Sequence, residues 1–382
     1  MKVLNVVGAR PNFMKVAPLH RALLQVPGLE SRIVHTGQHY DERMSDVFFR
    51  QLEMPEPHVY LGVGSGSHAQ QTARVMMAFE EVVLEERPDL IIVVGDVNST
   101  LACALVGVKL HIPVAHVEAG LRSGDRSMPE EINRIVTDSI ADLLFVTEQS
   151  GLDHLRSEGI PDTKVHFVGN VMIDSLVHFR RKAAETSILS DLGLGGRPYV
   201  LMTMHRPATV DHPEGLEAVL QTIEGMVQEL AVVFPIHPRT RGRMEEFGLT
   251  SRLLSIPDLI LTEPVGYLEF LRLMEKASVV VTDSGGIQEE TTYLGVPCIT
   301  LRDSTERPVT VELGTNQLMN LEPALIRNAV LKLAREGRPG SSIPPLWDGS
   351  AAVRIAEIIK DFLSTRSASR DLYQTAGAET TG

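Results

Sequence analysis

The chain has 382 residues, 43% of them apolar, and a formal net charge of −13 at neutral pH. That describes a globular chain long enough for two domains, and an acidic surface argues against a nucleic-acid partner while leaving room for a local cationic pocket. Two cysteines, Cys103 and Cys298, lie in apolar surroundings without a CxxC spacing, so neither a disulfide framework nor a zinc site is expected and both should stay reduced.

In chain order, the opening KVLNVV reads as a strand followed by a loop rather than as a targeting segment. No run of about 18 apolar residues follows, so membrane insertion is not expected and the cytoplasm is the expected location. Short β-branched runs then recur as SRIVHTG, DLIIVVGD, PVAHVEA, DLLFVTE and KVHFVGN, separated by amphipathic stretches such as HAQQTARVMMAFEEVVLEE. Near-continuous apolar strands alternating with helices predict a parallel sheet covered on both faces. After the charged RRKAAETSILSDLGLGGRP the theme restarts with YVLMTMH, AVVFPIH, LILTEP, SVVVTDS and PCITLR. The expectation is an α/β chain of two Rossmann-like, doubly wound domains facing a central cleft. Residues 1–170 form the first, 171–364 the second, and 365–382 a disordered tail.

Ligands of open parallel sheets sit beyond the carboxyl ends of the strands. There the sequence places Gly8-Ala9-Arg10, Gly95-Asp96, His116 with Glu118, His205-Arg206, His237 and Asp283-Ser284-Gly285-Gly286. Glycines between a strand and a helix let backbone N–H groups approach an anion, so Ser284 to Gly286 read as a diphosphate cradle. A plain strand-to-helix turn reads equally well from that motif alone. Arg10, Lys15, His205, Arg206 and Arg307 could supply cations to the phosphate, although any one of them alone would ordinarily be a surface charge.

Asp96 and Glu118 close neighbouring runs, and Glu130 with Glu131 opens PEEINRIVTDSIA behind a proline. Singly, Asp96 reads as a cap for the helix starting near Asn98, and Glu130 as a helix-dipole charge paired with Arg134. Together with a phosphate cradle, such acids point to general acid/base work on a nucleotide-linked substrate.

The segments GARPNFMKVAPL, HTGQHYD, GDVNSTLA, HVEAGLRS, MPEEINR, GNVMIDSL, MHRP, DSGGIQEE and LRDSTERPVTVELGTN, in this order, resemble the non-hydrolysing UDP-N-acetylglucosamine 2-epimerases. The resemblance runs from residue 1 to about 364. It implies the GT-B-like arrangement and interconversion of UDP-N-acetylglucosamine with UDP-N-acetylmannosamine. It also implies that Ser284, Gly285 and Gly286 hold the diphosphate, Glu290 the ribose hydroxyls, and Phe270 and the backbone near Val265 the uracil. Arg10, Lys15, His205 and Arg307 match further ligand-binding positions; Asp96, Glu118 and Glu130, with His205, match positions implicated in catalysis. A homodimer, a UDP-sugar substrate and a second UDP-N-acetylglucosamine acting as allosteric activator belong to the same expectation, with no cofactor and no metal.

The C2 proton of such a sugar is not beside a carbonyl, so its removal is best coupled to loss of UDP from C1, giving a 2-acetamidoglucal to which UDP adds back. Two faces require two proton-transfer groups, and VVGARPNF lacks a dinucleotide fingerprint. The chain departs from many bacterial members at HRPATVD, residues 205–211, where they carry HRRE, which bears on the activator site. SMPEEINR also occurs in relatives acting on diacetamido uronic acid derivatives, so a modified UDP-sugar is the alternative substrate. A hydrolysing 2-epimerase, a GT-B glycosyltransferase and a non-catalytic nucleotide-sugar sensor rank below it.

Overall fold

A computed structural model describes residues 1–37, 52–338, 340 and 342–379, with the backbone alone for Arg10 and residues 367–379. Residues 38–41 of the HTGQHYD segment lie outside the described residues. The chain divides into one unit of Met1–Ser175 with Leu346 onward, and another of Leu176–Pro345.

The first unit contains strands β1 (Lys2–Val7), β2 (Glu30–His35), β3 (Val59–Tyr60), β4 (Leu90–Val94), β5 (Val114–Ala119), β6 (Leu143–Val146) and β7 (Val165–Phe167). They pair in the order β3-β2-β1-β4-β5-β6-β7, every neighbour parallel. Leu90–Val94 is buried along its whole length because helices cover both faces, which is why no polar alternation is visible in that run. Val6, Val93 and Leu144 pack with Phe79 of the helix His68–Glu86 in one core cluster.

The second unit contains β8 (Tyr199–Thr203), β9 (Ala231–Pro235), β10 (Leu259–Thr262), β11 (Val279–Thr282), β12 (Cys298–Leu301) and β13 (Asn316–Met319), all parallel in the order β10-β9-β8-β11-β12-β13. Its core joins Val200, Phe234 and Val281 to Ile223 of the helix Pro213–Met226.

In each sheet the strand order reverses once, between β1 and β4 and between β8 and β11. Connections on either side of such a point diverge and leave a crevice at the carboxyl ends, so topology selects Gly8, Gly95-Asp96, His205-Arg206 and Asp283-Ser284 from all the strand ends.

The expected boundaries need two corrections. Residues 346–364, assigned above to the second domain, belong to the first unit, because Trp347 donates its indole N–H to the Thr147 carbonyl at 2.9 Å and Asp174 accepts the N–H groups of Ala351 and Ala352 at 3.1 and 2.7 Å. The Asp174 carboxylate thus caps the last helix, and nothing in the local sequence announces a partner so far away in the chain. That helix, Ala351–Glu379, also continues past residue 364 into the segment read as a disordered tail; residues 365–376 contain neither proline nor glycine to stop it.

Candidate functional site

In the first unit, the helix Arg10–Leu24 follows β1 directly. Asn12 Oδ1 accepts the N–H groups of Gly8 and Ala9 at 3.2 and 3.0 Å, while its amide donates to the Val94 carbonyl at 3.0 Å, tying the end of β1 to the end of β4. One turn on, Lys15 forms a buried ion pair with Glu118 from β5. Both groups lie against Gly95: a Cβ there would come within 3.5 Å of Lys15 Nζ and 3.4 Å of Glu118 Oε2, and the residue has φ +72°. The positive φ is what favours glycine, since a Cβ would make only ordinary contacts. Glu118 itself has φ +71°, a strained conformation for a residue with a side chain.

Asp96 is 29% exposed and pairs with the buried Arg134 at 2.5 Å. Arg134 also contacts Glu131 at 3.0 Å. The two glutamates opening the helix Pro129–Ile140 therefore do different things. Glu131 is buried and accepts the N–H groups of Ser123 and Gly124 at 2.8 and 3.0 Å, holding the loop after β5. Glu130 is half-buried and forms no hydrogen bond or ion pair among the described residues. Two expectations are corrected here. Val97, not Asp96, occupies the cap position of the helix Asn98–Lys109, and Arg134 pairs with Glu131 and Asp96 rather than with Glu130.

Beneath these acids His116 is fully buried, with Nδ1 2.6 Å from Asp138 and Nε2 2.8 Å from the Gly95 carbonyl. Asp138 also accepts the Gly120 N–H at 3.0 Å and contacts Arg122 at 2.8 Å. Burial pushes the Asp138 carboxyl up, but His116 and then Arg122 outweigh it and hold it below the usual carboxylate range. One buried histidine and acid thereby join the turn that carries Asp96 to the turn that follows Glu118.

In the second unit, the helix Gly285–Leu294 starts directly after β11 with Ser284 at its cap position. The N–H groups of Gly285 and Gly286 belong to the first turn and have no intrahelical acceptor. A Cβ on Gly285 would sit 2.8 Å from Arg307 Nη1 and 3.0 Å from Glu306 Oε1, so the glycine admits the guanidinium to the helix start. Arg307 is buried, its Nε bonded to Glu289 at 2.7 Å and its Nη1 to Glu306 at 2.5 Å. Glu306 also contacts Arg302 at 2.9 Å. Burial above all, with the charges of Arg206 and Arg307 nearby, holds Arg302 below its ordinary value. Such a cluster of guanidinium groups beside free first-turn N–H groups can receive a phosphate or diphosphate.

Across the switch point, Asp283 accepts the N–H groups of His205 and Arg206, each at 2.8 Å, and its Oδ1 lies 3.0 Å from His205 Nδ1. Burial raises the Asp283 carboxyl, but these donors bring it below its usual value. The pairing leaves Nε2 of the half-exposed His205 available to donate or accept a proton. Glu290 is buried and accepts the Tyr267 hydroxyl at 2.9 Å; burial pushes its carboxyl up to about 7. Val265 precedes the helix Tyr267–Lys276, which carries Phe270, and both are partly exposed beyond the end of β10. The side chain of Arg10 lies outside what the structure describes.

A family described as UDP-N-acetylglucosamine 2-epimerase matches residues 21–360. The chain belongs to this family. It is 42% identical over 369 residues to a UDP-N-acetylglucosamine 2-epimerase of Methanocaldococcus jannaschii, covering 94% of this chain and 99% of that protein. It is 41% identical over 366 residues to a UDP-2,3-diacetamido-2,3-dideoxy-D-glucuronate 2-epimerase of Pseudomonas aeruginosa, covering 94% and 99%. A crystal structure of the M. jannaschii enzyme in complex with UDP-GlcNAc and UDP superposes with TM-score 0.88 at 42% identity, covering 94% of this chain and 99% of that one.

Within this 2-epimerase, Lys15 and Glu118 form one pair and lie beside the Gly95-Asp96 turn, while Ser284 to Gly286 and Arg307 form one cluster. Sequence reasoning missed Asn12, Asp138, Arg302 and Tyr267 as parts of these networks, and gave Arg134 the wrong partner. Asn12 and Arg302 lie inside quoted motifs, so position relative to a strand end could have found them. Asp138 and Tyr267 lie mid-helix or past a loop, and only the folded chain brings them in.

Proposed function

We propose that this family member interconverts UDP-N-acetylglucosamine and UDP-N-acetylmannosamine by eliminating UDP to a 2-acetamidoglucal and adding it back. The observation that carries the reading is the chemical division of the two crevices: the first holds Asp96 and Glu118 with Lys15, and Glu130 opens the helix whose Arg134 pairs with Asp96, while the second holds a helix start with Arg307. An elimination asks for both kinds of group. A carboxylate removes the C2 proton as the C1–O bond breaks; the electron pair of the C–H bond forms the C1–C2 double bond, and the pair of the C–O bond leaves with the diphosphate. Return from the other face uses a second acid.

In the same reading Glu130, with no partner among the described residues to hold its charge, and Asp96, in contact with Arg134 yet partly exposed, exchange protons with C2. Lys15 and Glu118 orient the sugar, and His205, set by Asp283, protonates or positions the phosphate oxygen nearest C1. Ser284 to Gly286 and Arg307, with Arg10, hold the diphosphate; Glu290 holds the ribose, and Val265 and Phe270 the uracil. The enzyme works in the cytoplasm as a homodimer without a redox cofactor, and a second UDP-N-acetylglucosamine activates it.

The P. aeruginosa relative is nearly as similar as the archaeal one, which favours a diacetamido uronic acid substrate as the second reading. Incubating the protein with each UDP-sugar and resolving the C2 epimers by NMR tests both. Epimerisation of UDP-N-acetylglucosamine is expected; turnover of the diacetamido glucuronate alone would replace the first reading with the second, and turnover of neither would overturn both. Sedimentation tests the dimer, and a sigmoidal rate curve the activator.

A further inference from the structure

At the opposite rim of the first sheet lies a cavity of about 520 Å³ lined by His20, Arg21, Leu24, Ser31, Glu53, Met54, Pro55 and His58. Ser31 stands near the start of β2 and His58 immediately before β3. The strands are parallel, so this is the amino-end rim, away from Lys15, Asp96 and Glu118.

The hydrogen bonds around it bear on where the ring protons sit. The Ile33 backbone N–H can only donate, and it points at His58 Nδ1 at 3.1 Å; the proton of the His58 ring is therefore on Nε2. Ser31 Oγ accepts from the Asn5 amide at 2.9 Å and lies 2.8 Å from His20 Nδ1; with the hydroxyl donating to that nitrogen, the His20 proton is on Nε2 as well. His20 is only 5% exposed, and its Nε2 has no partner among the described residues. The two rings stand edge to face with centroids 6.3 Å apart, and Arg21 follows His20 in the chain with Nη1 3.3 Å from the Leu52 carbonyl.

We propose that this cavity is a second binding site, for the oxyanion of a small molecule, held by the Nε2–H groups of His20 and His58 and by the Arg21 guanidinium. His20, Arg21 and His58 line it together, with Glu53 the one carboxylate among the described lining residues. A bound oxyanion would accept from the two N–H groups and add to the contacts the guanidinium already makes. Burial, then His58 and Arg21, hold His20 down at about 4, so its ring meets the ligand as a neutral donor. Burial also lowers Arg21, with Asp174 the charge that offsets it.

A metal ion does not fit this arrangement. Coordination through His58 Nε2 would move the ring proton to Nδ1 and set it against the Ile33 N–H. Phosphate and carboxylate share the required chemistry, and the measurement separates them.

The test follows the histidine side-chain ¹⁵N resonances while the full-length protein, saturated with UDP to occupy the proposed diphosphate site, is titrated with inorganic phosphate and separately with acetate. His20 and His58 Nε2 are expected to shift together with one dissociation constant for at least one of the two ions. That constant should rise about tenfold or more in Arg21→Gln, and the coupled shift should vanish in His20→Phe. Resonances that stay in place with both ions, or shifts unchanged in Arg21→Gln, would overturn the proposal. Because UDP is present throughout, failure here is distinguishable from failure of the epimerase reading, which product NMR reports separately.

Discussion

Asp283 and His205 stand on opposite sides of the second switch point, and the single carboxylate of Asp283 accepts two backbone N–H groups while facing the His205 ring at 3.0 Å. The acid fixes both the loop after β8 and the ring that projects from it. Asp283→Asn keeps the shape but turns an amide toward donors, so the ring loses its orientation. Turnover is expected to fall about 10²-fold with UDP affinity within a few fold of the parent. Steady-state kinetics alongside calorimetry with UDP checks this.

Glu130 and Glu131 are adjacent in sequence and opposite in expected behaviour. Glu131→Gln removes a charge that holds Ser123, Gly124 and Arg134, and should cost about 1–3 kcal/mol of stability. Glu130→Gln breaks no such contact and should leave the melting temperature near the parent's while lowering turnover about 10²-fold or more. Thermal melts and rates on both variants separate the roles; a Glu130→Gln enzyme with full rate would remove Glu130 from the chemistry.

These pairs also show what the sequence could and could not reveal. Apolar runs located eleven of the thirteen strands among the described residues, because buried parallel strands carry their signal in their own residues. Val59–Tyr60 is too short to register and Asn316–Met319 opens with two amides, so both escaped. Strand ends led to Asp96, Glu118 and Ser284 for the same local reason. Nothing local distinguishes Glu130 from Glu131, since their difference lies in a loop six to eight residues earlier that only the fold brings back. The return of residues 346–364 to the first unit likewise depends on Asp174, a partner more than 170 residues away.

At the helix start, Gly285→Val would place a side chain where Arg307 and Glu306 lie. UDP affinity by calorimetry is expected to fall about tenfold or more while the far-ultraviolet dichroism stays that of the parent. Undiminished affinity in a folded variant would show that the diphosphate binds elsewhere.

Glu290 gives a pH dependence with a definite sign. Its carboxyl is raised to about 7 in the folded protein, so its ionisation works against folding: that stability is fully present below the ordinary carboxylate value near 4.5 and is lost as pH rises toward 7. A ribose held by the ionised form instead draws the proton off, so UDP affinity should rise with pH up to about 7 and level above it. In Glu290→Gln that rise should be absent; an identical profile in parent and variant would assign it to another group.

The central claim is that Asp96, beyond the end of β4, and Glu130 move the C2 proton while UDP departs. Turnover of UDP-N-acetylglucosamine in deuterated water, followed by NMR, tests it most directly, with Glu130→Gln run alongside to catch the intermediate. Deuterium is expected at C2 of the product epimer, and the slow variant should release 2-acetamidoglucal and UDP on long incubation. Epimerisation that retains the original hydrogen at C2 would contradict both the elimination and the assignment of these acids.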